Sequence, residues 1–353
     1  MRWWAILGAL LAVGVAALAI EAWRVLTPTA ALRAEARVVE IPPHAGLREI
    51  ARGLHEAGVI RSPAGFIAVS VLKGQARRLR AGEYEFPRGA ATPAVLRRMA
   101  AGMIRQHAVL HPEGATVAEL GQILESMHLA AARDIERAAA SPALLGSLGI
   151  EAPSLEGYLF PDTYQLVRGM TAEEILTRFV QRLHAKLTPE MVERARGRGL
   201  STHQLLTLAS IVEREAVVAE ERPLIAAVFW NRLAREMPLQ ADPTVQYAVR
   251  RERGTLTRAD LEVDNPYNTY RYAGLPPGPI ASPGMSSIEA VLDPAPVPYL
   301  YFVALDERHH QFSSTLDQHR AAVARYSAWR ARAAEPLGPE RAPLFAPPRG
   351  AAR

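Results

Sequence analysis

The chain has 353 residues, of which 49% are hydrophobic and 22% charged, with no cysteine and a formal net charge of +5. That length is enough for two or three domains of ordinary size. The absence of cysteine excludes a disulfide framework, thiolate zinc sites, iron–sulfur clusters and a thiol nucleophile. The positive charge is almost all arginine, since Lys73 and Lys186 are the only lysines.

The N-terminus carries an uncharged apolar run, Trp3 to Ile20, directly after Arg2. Crossing the hydrocarbon core as a helix takes about 20 apolar residues, and tryptophans suit the membrane interface. We therefore predict a membrane anchor over residues 1–24, in preference to a cleaved signal peptide with Ala17-Leu-Ala19 as its site. Positive charge before the span places the remainder of the chain outside the cytoplasm. There the basic balance indicates an anionic envelope polymer as partner, and nucleic acid is not expected.

A short internal repeat follows the anchor. Positions between Val39 and Leu54 recur 70 residues later, between Val109 and Leu124. Each copy predicts a strand, a Pro/Gly turn and an amphipathic helix, and an alternating strand at residues 81–86 lies between the copies. This pattern is typical of small modules that bind extended polymers, and equally of a generic α+β spacer.

From about residue 170 the pattern becomes helical. Thr171-Ala-Glu-Glu174 and Ser201-Thr-His-Gln204 are capping boxes, the second opening a helix that is predicted to run to about Val218. Pro223 begins another helix. Beyond residue 237, frequent Pro, Gly, Asn and Tyr predict long loops, then a strand at 299–303 and a helix at 316–333. A Pro-rich tail over residues 334–353 is predicted to be disordered.

The best candidate for chemistry is Glu215. At about 100° per residue it lies about 20° from Leu208 and about 40° from Ile211, on the apolar side of its helix, while Glu213 points elsewhere. Burial raises the pKa of a carboxyl, which suits a general acid near neutral pH. The competing interpretation is a buried ion pair with Arg222 or Arg232.

Other segments offer polar and aromatic side chains. Asp242 is predicted to cap a helix before Tyr247, whereas the segments Glu156–Tyr164, Asn265–Tyr270 and Gly274–Pro283 suit either a groove for a polar, ring-containing ligand or rigid loops. His309-His310 has no third ligand, so a solvated loop is favoured over a metal site. Neither a phosphate-binding loop nor a Gly-x-Ser-x-Gly motif is present.

Several of these motifs together resemble the endolytic murein transglycosylases, the MltG or YceG-like family. The resemblance covers most of residues 36–330, and its motifs are Leu208-Ala-Ser-Ile-Val-Glu-Arg-Glu215, Glu220-Glu-Arg222, Val228-Phe-Trp-Asn-Arg-Leu233, Met237-Pro-Leu-Gln-Ala-Asp-Pro-Thr-Val245, Asn265-Pro-Tyr-Asn-Thr-Tyr270, Gly274-Leu-Pro-Pro-Gly-Pro-Ile280 and Glu156-Gly-Tyr-Leu-Phe-Pro-Asp-Thr-Tyr164. Trp230, Ala241 and the tail depart from the pattern.

The resemblance implies an α+β protein in several parts. A transmembrane helix precedes a small LysM-like module over residues 36–150, and a mostly helical, lysozyme-like catalytic domain with long loops and a few strands covers 151–333. The protein would be a single-pass inner-membrane enzyme whose catalytic domain lies in the periplasm. Peptidoglycan glycan strands would be its substrate, peptidoglycan synthases are expected as partners, and no cofactor or metal is implied.

The resemblance also assigns roles. Glu215 corresponds to the family's catalytic acid, which cleaves the MurNAc-β-1,4-GlcNAc bond of nascent strands and leaves 1,6-anhydroMurNAc ends. Substrate binding is expected from a wider set, mostly on loops: Glu156, Asn231, Gln240, Asp242, Tyr267, Asn268 and Tyr270. Two alternatives stay open: a muramidase-type hydrolase whose second carboxylate is Glu156, Asp162 or Asp242, and a non-catalytic wall-binding scaffold.

Overall fold

A computed structural model describes residues 2–27, 36–87, 89–250 and 254–334. Its contacts divide the chain into two compact units with interleaved boundaries. The N-terminal unit comprises Met1–His111, Ala118–Leu144 and Asp162–Arg178, and the C-terminal unit comprises Pro112–Val117, Leu145–Pro161 and Phe179–Arg353. Of the tail predicted to be disordered, only residue 334 lies within the described ranges.

The described residues form helices and short strands. The helices are α1 (Arg2–Leu26), α2 (Leu47–Glu56), α3 (Pro63–Leu72), α4 (Thr92–Ala100), α5 (Val117–Ser126), α6 (Ala132–Ala139), α7 (Pro142–Ser147), α8 (Ala172–Lys186), α9 (Pro189–Gly197), α10 (Thr202–Glu215), α11 (Arg222–Leu233), α12 (Asp242–Ala248), α13 (Arg258–Leu261), α14 (Met285–Leu292) and α15 (Leu316–Ala334). The strands are β1 (Arg37–Ile41), β2 (Gly82–Phe86), β3 (His107–His111), β4 (Asp162–Leu166), β5 (Tyr301–Ala304) and β6 (His310–Ser313). The pairs β1–β2, β3–β4 and β5–β6 are antiparallel.

Helix α1 has the length and composition of a membrane span. Its apolar part, Ile6–Leu26, has 21 residues, and an 18-residue stretch of it with a mean hydropathy of 2.1 has no buried residue. An N-terminal signal sequence meets the same test. The end of the helix contacts the rest of the N-terminal unit. Val25 is buried beside Gly65, and the Arg61 guanidinium lies 4.9 Å from the Trp23 ring centroid.

The predicted repeat is confirmed at the level of secondary structure. Strand β1 and helix α2 recur as β3 and α5, each element of the second copy beginning and ending 70 residues after its counterpart. The apolar residues of the first copy enter one core with Phe66, Tyr84 and Leu96. Helices α3 and α6, which the sequence did not predict, also belong to this unit, whereas the unit boundary falls within the equally unpredicted α7.

The C-terminal unit is built around α10. Nine consecutive residues from Leu205 to Glu213 are buried, so the helix is enclosed on all sides rather than along one stripe. The small polar residues within it satisfy their hydroxyls locally, since Thr207 donates to the His203 carbonyl and Ser210 to the Thr207 carbonyl. Helices α9, α11, α12 and α14 pack against α10 or its neighbours.

Both capping boxes are confirmed, but α10 ends earlier than predicted. Thr171 with Glu174, and Ser201 with Gln204, make the reciprocal bonds of a capping box. Helix α10 stops at Glu215 instead of Val218, because Ala216 is extended, with φ −75° and ψ 122°. The described residues between 237 and 300 contain three short helices in addition to loops, and one of them, α14, is largely buried.

Candidate active site

Glu215 is the last residue of α10, and its side chain is half-buried. Among the described residues its carboxyl makes no hydrogen bond and no ion pair within 4.0 Å. The pKa of Glu215 is raised to about 8, chiefly by burial and then by the nearby charge of Asp242, while Arg232 opposes the rise. A carboxyl in this environment holds its proton at neutral pH, as a general acid must.

Asp242 is the carboxylate whose charge acts on Glu215. It is the first residue of α12, and its Oδ1 accepts a hydrogen bond of 2.6 Å from the Tyr270 hydroxyl. The predicted capping role is wrong, because Ala241 holds the cap position and no side chain caps this helix. The pKa of Tyr270 is raised by burial and by its bond to Asp242, so its hydroxyl stays protonated and donates a hydrogen bond to the carboxylate.

Arg232 is the cation that faces this group. Its guanidinium is buried and bonds to backbone carbonyls, with Nε 2.7 Å from the Leu300 oxygen and Nη1 2.8 Å from the Leu239 oxygen. The same group lies 5.3 Å from the Tyr301 ring centroid. Arg232 therefore holds the Leu239 segment against β5 and places a positive charge close to Glu215 without forming a salt bridge to it.

The ion pair considered as the alternative for Glu215 is made by Glu213 instead. Arg222 Nη2 lies 3.0 Å from Glu213 Oε1, and both side chains are buried or nearly so. The helical-face prediction placed Glu215 on the apolar side and Glu213 away from it. In the structure Glu213 is the more buried of the two, because α10 is enclosed all round.

Two segments that are distant in sequence, Glu156–Tyr164 and Gly274–Pro283, meet beside α10. Gly157 has a φ of +79°, and a Cβ there would lie 2.2 Å from Cβ of Pro279, so only glycine permits this approach. His203 joins the same segments, since its Nε2 donates to the Pro277 carbonyl at 2.8 Å and its Nδ1 lies 2.9 Å from the Tyr158 hydroxyl. In the neutral imidazole that hydroxyl donates to Nδ1.

Thr269 joins the motif Asn265–Tyr270, to which it belongs, to the motif Met237–Val245. Its carbonyl accepts from the Gln240 amide at 3.1 Å, and its hydroxyl accepts from the Ala241 amide at 3.0 Å and lies 2.9 Å from the Thr244 hydroxyl. Gln240 itself has a φ of +48°, and its side-chain oxygen accepts a long bond of 3.4 Å from Arg232. These bonds fix the turn that leads into Asp242.

The two predicted asparagines bond to the backbone. Asn231, which the prediction placed on a loop, lies on α11, and its Nδ2 donates to the Val297 and Tyr299 carbonyls at 2.8 and 2.9 Å. The fully buried Asn268 donates to the Leu261 and Val263 carbonyls at 3.0 and 2.9 Å. Both amides therefore hold loop backbone in place.

Glu156 and Tyr267 lie near each other. The Tyr267 and Tyr247 rings are 4.9 Å apart, and the charge of Glu156 contributes, after burial, to raising the pKa of Tyr267. Glu156 also accepts the Val117 amide at 3.2 Å, at the start of α5. Of the three carboxylates considered for a hydrolase, Asp242 is the one that acts on the pKa of Glu215. Asp162 belongs to β4 in the other unit.

No group of three or more potential metal ligands occurs within the described part of the chain. Of the paired histidines, His309 fits the predicted solvated loop and His310 does not. His309 is exposed and contacts Asp306, whereas His310 begins β6 and its Nδ1 lies 2.7 Å from the buried Glu221. The second histidine thus attaches β6 to the segment before α11.

Sequence reasoning missed several residues that shape the site. Tyr158, His203, Tyr247 and Thr269 all make contacts over long sequence separations. The Ser201 capping box places His203 on the first turn of a helix but carries no signal of its distant partners. Arg232 was considered as an ion-pair partner and not as an anchor for carbonyl groups.

Comparison with known proteins decides the family. The sequence profile of the YceG-like family matches residues 39–325. The chain belongs to this family. It is 33% identical over 304 residues to the endolytic murein transglycosylase of Bacillus subtilis strain 168, covering 82% of this chain and 84% of that protein.

Two further relatives agree. The endolytic murein transglycosylase of Streptococcus pneumoniae strain D39 is 31% identical, over 82% of this chain but only 58% of its own longer sequence. The crystal structure of a YceG-like protein from Listeria monocytogenes shares 33% identity and superposes with a TM-score of 0.57, covering 82% of this chain and 99% of that one. The fold of the YceG-like family is therefore present here.

Proposed function

We propose that this YceG-like protein is an endolytic peptidoglycan lytic transglycosylase, with Glu215 as its catalytic acid and base. The relatives with this name match most of the chain. The observation that carries the proposal is the raised pKa of Glu215, about 8, which keeps this carboxyl protonated at neutral pH. A protonated acid without a hydrogen-bond partner inside the described protein is available to a glycosidic oxygen.

The reaction proceeds in two proton transfers through one residue. Glu215 protonates the oxygen that links MurNAc C1 to GlcNAc, the C1–O bond breaks, and positive charge develops at C1. The resulting carboxylate takes the proton of the MurNAc C6 hydroxyl as that oxygen bonds to C1. The products are a 1,6-anhydroMurNAc end and a GlcNAc with a free hydroxyl. An intramolecular nucleophile has a high effective concentration, so an activated water is not required.

Asp242 and Arg232 would support this cycle through opposite effects on the pKa of Glu215. Asp242, held by Tyr270 at 2.6 Å, favours the protonated acid and provides negative charge for the oxocarbenium-like centre. Arg232 favours the carboxylate that forms after the first proton transfer. Tyr267 and Glu156 would line the path of the glycan, and Asn231, Gln240 and Asn268 would shape the loops that hold it.

We further propose that α1 anchors the protein in the inner membrane and that the catalytic unit works in the periplasm. The repeated strand–turn–helix copies support a LysM-like, glycan-binding role for the region after the anchor. Peptidoglycan synthases are the protein partners that the family resemblance predicts. Membrane fractionation tests the anchor, because a cleaved and soluble product would contradict it.

A muramidase-type hydrolase is the second candidate, because Asp242 supplies a carboxylate that acts on Glu215. Mass spectrometry of uncross-linked glycan strands digested by the full chain separates the two. Anhydro ends support the transglycosylase, whereas reducing ends would establish the hydrolase. Absence of any cleavage by the wild-type protein would support a wall-binding scaffold.

A further inference from the structure

The buried Glu213 carboxylate connects three segments of the C-terminal unit. Besides the pair with Arg222, its Oε2 accepts the Gly284 amide at 2.9 Å, at the position that caps α14. The side chain is only 5% exposed. Glu213 thereby joins the last turn of α10 to the start of α11 and the start of α14.

Arg222 extends this connection. Its Nε donates to the hydroxyl of the fully buried Ser287 at 3.1 Å, and its Nη2 lies 4.0 Å from Glu113 Oε2. A Cβ at Gly284 would lie 2.0 Å from Glu113 Oε1, so the Glu113 carboxylate lies directly against this glycine. Two carboxylates and one guanidinium thus form a compact cluster at the end of α10.

The turn Pro112–Val117 closes over the same helix end. Its Gly114 amide donates to the Ser282 carbonyl and the Ser282 amide to the Ala115 carbonyl, both at 2.8 Å. The Gly114 carbonyl accepts Arg214 Nη1 at 3.1 Å. Within the turn the Ala115 amide donates to the Pro112 carbonyl at 3.3 Å, as the Ala45 amide does to Pro42 in the equivalent turn of the first repeat, which belongs to the N-terminal unit. The turn of the second copy therefore contacts the helix that carries Glu215.

These contacts matter because α10 has no further turn to hold its end. The chain becomes extended at Ala216, directly after Glu215. Helix termini fray unless they are held, and a misplacement of about 1 Å in an active site costs about 100-fold in rate. The direction of the Glu215 side chain depends on whatever fixes this last turn.

We propose that Glu213 is a positioning residue for Glu215: by holding Arg222 and the Gly284 amide, it fixes the last turn of α10 and the direction of the Glu215 carboxyl. This inference rests on the proposed function for its kinetic consequence. Its structural consequence, a rigid end of α10, stands independently of any activity.

The test compares Glu213→Gln with wild type in the full chain, using uncross-linked glycan strands as substrate. The amide variant keeps the shape and one acceptor but loses the charge that holds Arg222. We expect kcat to fall about 10- to 100-fold with KM within about threefold. The alkaline limb of the pH profile should stay in place, because Glu213 positions the acid without setting its pKa.

Glu221→Gln is the matched control. Glu221 is similarly buried, and it is bonded to His310. It anchors β6 and not the end of α10. Its kcat should stay within about twofold of wild type. An unchanged kcat in Glu213→Gln, a shifted alkaline limb, or an equal loss in the control would each overturn the proposal.

Hydrogen exchange followed by mass spectrometry supplies a readout without activity. Peptides covering residues 211–218 should exchange about tenfold faster in Glu213→Gln than in wild type or Glu221→Gln. Unchanged exchange there would overturn the proposal, whether or not the wild-type chain is active. A wild-type chain that cleaved nothing would refute only the proposed transglycosylase. If Glu213→Gln fails to fold, Arg222→Gln replaces it, because it removes the cation that Glu213 holds. Wild-type exchange in Arg222→Gln would likewise overturn the proposal.

Discussion

The two sides of the last turn of α10 place the same functional group in opposite environments. On one side Glu213 is buried against Arg222 at 3.0 Å and the Gly284 amide at 2.9 Å. On the other side Glu215 is half-buried, without a bonded partner among the described residues, and has a pKa raised to about 8. Two positions apart on one helix, Glu213 is a paired carboxylate and Glu215 is a carboxyl without a bonded partner among the described residues.

The difference shows that burial alone does not identify a catalytic carboxyl. A buried carboxylate that is paired and hydrogen-bonded stays ionised and holds structure, whereas one that is desolvated without a partner retains its proton. Asp242 strengthens the second condition by placing a negative charge near Glu215. The environment of each carboxyl therefore decides its role, and four predictions on three substitutions test the contrast.

The largest expected effect is that of Glu215→Gln on cleavage. Removal of the proton donor should lower kcat at least about 1,000-fold, the scale of general acid–base catalysis. Chromatography of released muropeptides measures the loss, and circular dichroism checks that the fold is kept. Glu220→Gln, at an exposed glutamate nearby, should retain wild-type activity. Substantial cleavage by the Glu215 variant would remove this residue from the mechanism.

Arg222→Met tests the structural role of the Glu213 carboxylate. It leaves the buried Glu213 carboxylate without its cation, and loss of one partner of a buried pair costs about 3–5 kcal/mol. Denaturant unfolding monitored by circular dichroism measures this change. Arg258→Met is the control, because the Arg258–Glu262 pair is exposed and its loss should cost less than about 0.5 kcal/mol. Equal costs for the two variants would contradict the assigned role of Glu213.

Glu215→Gln should also change stability, with a sign set by the raised pKa. In the folded protein Glu215 binds its proton up to about pH 8, whereas the unfolded chain releases it near pH 4.5. Stability from this group is therefore present below pH 4.5 and is lost as pH rises towards 8. The glutamine variant lacks this loss and should gain about 1–3 kcal/mol over wild type at pH 8. Thermal unfolding of both proteins at pH 5 and pH 8 measures the gain, and a constant difference would contradict the pKa.

Asp242→Asn should produce the smallest effect on a transglycosylase. Loss of the nearby negative charge lowers the pKa of Glu215, so the alkaline limb of kcat/KM moves to lower pH. Burial is the larger cause of the raised pKa and persists in the variant. The pKa that sets the alkaline limb therefore stays above that of an ordinary glutamate. A pH–rate series gives the shift. Complete loss of activity at every pH, together with reducing ends in the wild-type products, would favour a hydrolase.

Local patterns predicted much of the fold. The capping boxes at Thr171 and Ser201 begin helices where expected, and the repeat gives two strand–helix copies with matching bounds. These features depend on neighbours within a few residues, which the sequence displays directly. Helix α14 was missed because it lies in a segment rich in turn residues and is stabilised by packing against α10.

The sequence by itself determined that Glu215 is the residue to test, because helical spacing and the family motifs both select it. Only the tertiary structure decided which groups surround it and which bonds hold them. Arg222 bonds to Glu213, Tyr270 holds Asp242, and the turn Pro112–Val117 closes over the end of α10. Such contacts join residues up to about 170 positions apart in the chain. Desolvation and long-range charge set the pKa of Glu215, and neither is encoded in any short stretch of sequence.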